Sequence, residues 1–242
     1  MSRDCATTAA ALLVECLENE SVEYIFGIPG EENIDIMEAL LDSRIKFVTT
    51  RHEQGAAFMA DVYGRLTGRA GVCMATLGPG ATNLITGFAD ANMDRAPIVA
   101  IAGQGATTRL HKESHQILNL VELFHPISKY ATQILEPEIV PEVVRKAFKV
   151  AQTEKPGGAF IDFPENVASS TVSGSPGADT LASVDAARVE IGLNPSACSI
   201  SNEKSKLKSV TFSPRPARYA ASSSIRVTYL PQVEPSWETR FG

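Results

Sequence analysis

The strongest constraint on the fold is a repeated pattern, in which a short apolar run leads through a polar or Gly-containing corner into a helix-forming stretch. Such apolar runs lie at residues 24–28, 45–49, 72–76 and 98–102. β-Branched and aromatic runs bounded by turn residues predict strands, and apolar residues at spacings of three and four predict helices. Repeated βα units predict an α/β fold, with a doubly wound, mostly parallel sheet and helices on both faces. The pattern leaves antiparallel edge strands open.

The same periodicity predicts the other elements along the chain. Two further strands are expected at residues 130–135 and 158–163. The predicted helices lie at residues 6–19, 33–41, 53–68, 81–92, 117–124 and 141–152. The sheet domain should therefore extend over residues 1–168.

One acidic residue stands at a corner of this fold where a ligand could bind. Glu53 follows the predicted strand at residues 45–49 and begins a helix with the small residues Gly55, Ala56 and Ala57. Ligands of open parallel sheets bind in the crevice at the carboxyl ends of the strands, and small residues allow a flat ring to approach the backbone. The alternative is that Glu53 merely complements the helix dipole.

Four motifs carry a resemblance to a known family. They are GIPG at residues 27–30, RHEQGAA at 51–57, TLGPGATN at 76–83 and PIVAIAGQ at 97–104, with HKESHQ at 111–116 beyond them. In order and spacing, over residues 5–168, they resemble the amino-terminal, pyrimidine-binding domain of thiamine-diphosphate enzymes of the acetolactate synthase type. The resemblance implies the thiamine-diphosphate pyrimidine-domain fold.

The resemblance also implies roles for particular residues. Glu53 matches the catalytic glutamate that hydrogen-bonds the aminopyrimidine of thiamine diphosphate and promotes proton transfer. Gln116 matches a glutamine that reaches toward the substrate. The other residues implied to bind the cofactor are Ile28, Pro29, Gly30, Pro79 and Asn83. For the turn containing Pro79 and Asn83, the alternative is a tight turn and a helix cap.

No metal site is predicted within this sequence. His111 and His115 have HxxxH spacing but lack a set of carboxylate partners, and the four cysteines have no metal-ligand spacing. Members of the family hold Mg²⁺ and the diphosphate with a Gly-Asp-Gly and an Asn-Asn motif in a further domain. Neither motif occurs in these 242 residues. We therefore expect Mg²⁺ to be bound only through a partner domain.

The function implied by the resemblance is that of a carboligase acting on pyruvate or a related 2-oxo acid in branched-chain amino acid biosynthesis. Because the anchoring motifs are missing, we expect a truncated domain that is inactive alone and associates as a homodimer or with a complementary enzyme subunit. The alternatives are a non-catalytic module that pairs with full-length synthase subunits, and a fragment of a related 2-oxo-acid decarboxylase.

Composition narrows the remaining possibilities. The formal net charge of -6 gives no reason to expect nucleic acid as a partner. Apolar runs are shorter than the roughly 18 residues of a membrane span, and the cysteines show no disulfide pattern, so we expect a cytoplasmic protein. Residues 169–242 are Ser-rich and lack helix or strand periodicity, which predicts a disordered tail.

Overall fold

The computed structural model describes residues 7–110, 112 and 115–172 and contains one six-stranded sheet. The spatial order of its strands is β2-β1-β3-β4-β6-β5, and each pairing is parallel. The strands are β1 (Tyr24–Gly27), β2 (Lys46–Thr49), β3 (Gly71–Ala75), β4 (Ile98–Gln104), β5 (Tyr130–Gln133) and β6 (Gly158–Pro164). The predicted doubly wound α/β fold is confirmed, and the edge strands β2 and β5 are parallel to their neighbours.

Helices cover both faces of the sheet. They are α1 (Ala9–Asn19), α2 (Ile34–Leu40), α3 (Glu53–Thr67), α4 (Pro79–Met93), α5 (Leu120–Phe124), α6 (Val140–Gln152) and α7 (Glu165–Ala168). Helix α4 begins two residues earlier than predicted, because proline is well suited to the first helical position. Helix α5 begins later than predicted, at the point where the Asn119 side chain accepts a hydrogen bond from the Glu122 N–H.

The two faces of the sheet are packed with different residues. On the first face, α1, α2 and α6 bury mostly large aliphatic side chains, such as Leu13 and Ile36. On the second face, α3, α4 and α5 pack through alanines and three phenylalanines. The rings of Phe124 and Phe160 stack with centroids 3.8 Å apart, and Phe88 meets Phe124 edge-on at 5.2 Å. Small residues let α3 and α4 approach the sheet closely.

The described chain ends beside its own beginning. The Ala9 N–H donates to the Ser170 carbonyl at 2.9 Å, and the Val172 N–H donates to the Thr7 carbonyl at 2.8 Å. The predicted tail lies outside the described residues from position 173 onward. Within the described part of the chain, no helix is long and apolar enough to span a membrane.

Candidate functional site

The strand order places a crevice between β1 and β3. The chain passes from β1 outward to β2 and then crosses back to β3 on the other side of β1. Ligands of open parallel sheets bind at such a reversal, outside the carboxyl ends of the strands. The corner at residues 28–30 follows β1, and the glycine-containing turn at residues 76–78 follows β3. Both predicted cofactor-binding corners therefore flank this crevice.

Glu53 is held in place by the neighbouring helix. It is the first residue of α3, which His52 caps by accepting the Gln54 N–H at its Nδ1 atom. The half-buried Glu53 carboxylate accepts a hydrogen bond at Oε2 from the Asn83 Nδ2 atom of α4, at 3.0 Å. Its Oε1 atom lies 3.5 Å from the point where a Cβ atom on Gly80 would stand. The structure thus joins two sequence-predicted site residues, Glu53 and Asn83, across the ends of two helices.

Gly30 lies where no larger residue fits. A Cβ atom added to Gly30 would stand 2.5 Å from the Thr76 Cβ atom, much closer than real Cβ atoms approach. The Gly30 N–H donates to the Asn33 Oδ1 atom at 2.8 Å, which closes the corner. The Ile28 N–H donates to the Met74 carbonyl at 3.4 Å, whereas Pro29 is exposed.

Two residues that sequence reasoning missed also lie at this crevice. The Thr76 Oγ1 atom donates a hydrogen bond to the Glu32 Oε2 atom at 2.7 Å. This bond ties the corner after β1 to the end of β3. Thr76 is the first residue of the TLGPGATN motif and Glu32 follows the Pro-Gly corner, so closeness to these two motifs was the signal in the sequence.

Gln116 is placed against the turn after β3. Gly78 has a φ of 54°, and a Cβ atom there would lie 2.5 Å from the Gln116 carbonyl oxygen, so both the conformation and the contact require glycine. Gln116 is exposed and itself has a φ of 58°, and the exposed Pro79 begins α4 beside this turn. His111 lies outside the described residues. Within them, no three His, Cys, Asp or Glu side chains are grouped to hold a metal ion.

A salt-bridge cluster fixes α3 to α4. Arg65 pairs with the buried Asp61 on its own helix at 2.8 Å, with Asp90 of α4 at 3.2 Å, and with Asp94, the C-cap of α4, at 2.7 Å. A buried carboxylate with a charged donor is stabilised only while that donor stays in place. The cluster therefore sets the relative position of the two helices that carry Glu53 and Asn83.

The sequence of this domain matches a known family. Residues 7–123 match the family described as "Thiamine pyrophosphate enzyme, N-terminal TPP binding domain". The catabolic acetolactate synthase of Raoultella terrigena is 42% identical over 166 residues, covering 69% of this chain and 30% of that protein. A probable acetolactate synthase large subunit of Methanocaldococcus jannaschii is 44% identical over 158 residues, covering 65% of this chain and 27% of that protein.

A third relative gives the same picture. The acetolactate synthase of Bacillus subtilis is 43% identical over 158 residues, covering 65% of this chain and 28% of that protein. The chain spans less than a third of the length of each of these relatives. Over residues 7–123 this chain is an N-terminal thiamine pyrophosphate binding domain of the thiamine pyrophosphate enzyme family, of the acetolactate synthase-like kind.

Proposed function

We propose that this domain supplies the pyrimidine-binding half of the active site of a carboligase that acts on pyruvate or a related 2-oxo acid. The observation that carries the proposal is the Glu53 carboxylate, which Asn83 orients at the β1–β3 crevice. Glu53 is the proposed catalytic residue, and Ile28, Pro29, Gly30, Pro79 and Asn83 are the proposed cofactor-binding residues. Gln116, on the exposed rim, is the proposed substrate contact.

The residues of the crevice fit the aminopyrimidine of thiamine diphosphate. Gly30 and Gly80 lack side chains at the points where a Cβ atom would meet Thr76, so the corner backbone lies close to the end of β3. The Glu53 carboxyl group can exchange a proton with a ring nitrogen. The Asn83 Nδ2 atom donates a hydrogen bond to the Oε2 atom of Glu53 and so holds the carboxylate in place. When bound, the cofactor supplies the stabilised carbanion, whereas this chain orients the ring and shares its proton.

The proposed site is completed by a second domain that holds the diphosphate and Mg²⁺. The helix that begins at Glu53 exposes four large apolar side chains on one side, with 37% exposure at Phe58, 47% at Met59, 50% at Val62 and 82% at Leu66. Apolar surface rimmed by polar residues is typical of protein contacts. We propose that this side of α3 contacts a second copy of the chain or a complementary enzyme subunit.

Restoration of a disabled synthase tests the catalytic role. The full chain would be mixed with the Bacillus subtilis acetolactate synthase in which the glutamate matching Glu53 is replaced by Gln, together with thiamine diphosphate, Mg²⁺ and pyruvate. We expect acetolactate to form through mixed active sites. Glu53→Gln in this chain should lower the restored rate by roughly 10²- to 10⁴-fold, because a proton-transfer group is lost. The exposed Glu38→Gln is the control and should restore the rate fully.

The outcome of this mixture separates the alternatives. A stable complex without restored activity, measured by light scattering, would favour the non-catalytic association module. Carbon dioxide and acetaldehyde without acetolactate would favour a 2-oxo-acid decarboxylase. A chain that neither binds the synthase nor restores it contradicts the proposed function.

Cofactor binding by these 242 residues alone should be weak. One ring without its diphosphate anchor must still overcome a loss of translational and rotational freedom of roughly 4 to 15 kcal/mol. We expect a Kd for thiamine diphosphate no tighter than about 1 mM, measured by calorimetry. A micromolar, Mg²⁺-dependent site on the monomer would contradict the half-site proposal.

We also propose a reducing compartment, the cytoplasm, as the location. Cys16 and Cys73 are free and buried, and burial raises the pKa of each thiol to about 12. Such thiols behave as small apolar core residues.

A further inference from the structure

A cavity lies at the carboxyl ends of β4, β5 and β6. Its volume is about 420 Å³, which is within the range of small-molecule pockets. Its lining includes the polar residues Gln104, Gln133 and Asp162 and the apolar residues Ile117, Leu118 and Val121. None of them belongs to the proposed thiamine diphosphate site. The cavity thus combines an apolar wall with three convergent polar side chains, Gln104, Gln133 and Asp162.

The strand register explains why these polar side chains meet. Gln133 of β5 is paired with Asp162 of β6, and Asp162 is paired with Ala102 of β4. Gln104 lies two residues beyond Ala102, so its side chain is on the same face of the sheet. The Gln133 Nε2 atom donates to the Asp162 Oδ2 atom at 2.7 Å, and the Gln104 Nε2 atom donates to it at 3.4 Å.

Asp162 retains an unused hydrogen-bonding atom. The residue is only 1% exposed, and its Oδ1 atom is buried without a hydrogen-bond partner among the described residues. A buried polar atom left without a partner is unfavourable, because it has lost its hydrogen bonds to water. Burial raises the pKa of the Asp162 carboxyl to about 7, against the opposing effect of the two glutamine donors. At pH 8 this carboxylate is therefore ionised and lacks one donor.

We propose that the cavity binds a small organic cation, an amine or amidinium on an apolar body, whose N–H groups donate to Asp162. The apolar side chains of Ile117, Leu118 and Val121 would contact its body. Both glutamines direct N–H groups at the carboxylate, so they offer it no oxygen ligands for a shared metal ion. An anion would be repelled by ionised Asp162.

Two of the lining residues, Gln104 and Lys112, affect the cavity in different ways. Gln104 donates a second hydrogen bond to the Leu118 carbonyl at 3.0 Å, which fixes the loop that forms the apolar wall. Lys112 is the other charged residue among the described lining residues, and it is exposed. Water and salt screen an exposed charge, so Lys112 should oppose a bound cation only weakly.

Benzamidine and benzamide, which differ mainly in charge, provide the probes. Binding of each to the full chain would be measured by ligand-observed NMR titration at pH 8. We expect benzamidine to bind at least tenfold more tightly than benzamide, because a charge-assisted hydrogen bond is stronger than a neutral one. Below pH 7 benzamidine affinity should fall by roughly tenfold per pH unit, since Asp162 takes up a proton.

Two substitutions test the assignment to this carboxylate. Asp162→Asn should weaken benzamidine by roughly 10- to 100-fold and leave benzamide unchanged. The exposed Glu38→Gln removes the same charge elsewhere and should change neither. Three results with the wild-type protein alone would overturn the proposal. They are equal affinity for the two probes, no binding of either probe, and a benzamidine affinity that does not change with pH.

Discussion

The two faces of the sheet use the same backbone for different purposes. The first face, under α1, α2 and α6, is filled by large aliphatic side chains. The second face, under α3, α4 and α5, is filled by alanines and phenylalanines, and buried Asp61, Gln104 and Asp162 lie on it or at its end. In this domain, the face with the closely packed helices is therefore also the face that carries the polar side chains of the candidate sites.

The physical reason lies in side-chain size. Alanine and glycine at the α3–α4 contact bring the two helices close enough for Asn83 to reach Glu53 and for Arg65 to reach Asp94. Large aliphatic residues on the first face gain more from burial, at roughly 25 cal/mol per Å² of apolar surface. The first face should therefore contribute mainly stability, whereas the second face positions the functional side chains.

The largest effect should come from a truncation on the first face. Leu13→Ala removes a fully buried side chain from α1 and should lower the free energy of unfolding by roughly 2 to 5 kcal/mol. Urea unfolding measures the loss. The folded fraction of the variant should keep wild-type capacity to restore the disabled synthase. A lower restored rate per folded molecule would break the division between the two faces.

A pH-dependent effect of similar size is expected at Asp162 on the second face. Its pKa of about 7 in the folded protein lies above the ordinary value near 4, so the folded state holds the proton more tightly. Stability from this group is therefore present at low pH and is lost as the pH rises to about 7.

Asp162→Asn removes this dependence. The difference in unfolding free energy, variant minus wild type, should rise by roughly 2 to 3 kcal/mol from pH 5 to pH 8. Urea unfolding of both proteins at both pH values measures it. A difference between the two proteins that stays constant with pH would mean that Asp162 is ionised in both states throughout.

A smaller effect should come from crowding the α3–α4 contact. A Cβ atom on Gly87 would stand 2.8 Å from the Ala57 Cβ atom and 2.9 Å from the Phe58 nitrogen. We expect Gly87→Ala to destabilise the domain by roughly 1 to 3 kcal/mol and to reduce restoration of the synthase, since the helices carrying Glu53 and Asn83 must separate.

Gly55→Ala is the matched control for this crowding. Gly55 also lies in a helix, but its added Cβ atom would meet nothing within 4 Å. Alanine there should raise the free energy of unfolding by up to about 1 kcal/mol, through helix propensity alone. Equal responses of Gly55 and Gly87 would contradict the close-packing explanation.

The smallest effect is expected at an ion pair on the surface. Arg69 pairs with Glu23 at 3.2 Å, with 37% and 59% of their side chains exposed. Arg69→Gln should change the free energy of unfolding by less than about 1 kcal/mol, because exposed pairs are screened by water. High salt should change the free energy of unfolding of the variant only slightly. A loss of more than about 1 kcal/mol caused by Arg69→Gln would indicate that Arg69 also supports the core.

The sequence predicted the fold well. Continuous apolar runs identified the buried strands, and the motifs around Gly30, Glu53 and Asn83 fell at the corners flanking the crevice. Glu32 and Thr76 were missed, because their hydrogen bond joins residues 44 positions apart. The role of Glu53 in catalysis, and the boundary of the domain at residue 168, stay predictions.

Periodicity and turn chemistry are local, so the sequence by itself determined the six strands, the helices α1 to α6 and the place of the corners between them. Strand order, register and helix approach depend on contacts between distant residues, so only the tertiary structure decided them. It put β1 beside β3, brought Asn83 to Glu53, and placed Gln104 and Gln133 on Asp162. Long-range packing fixes these pairs because burying a carboxylate is favourable only where donors from other elements reach it.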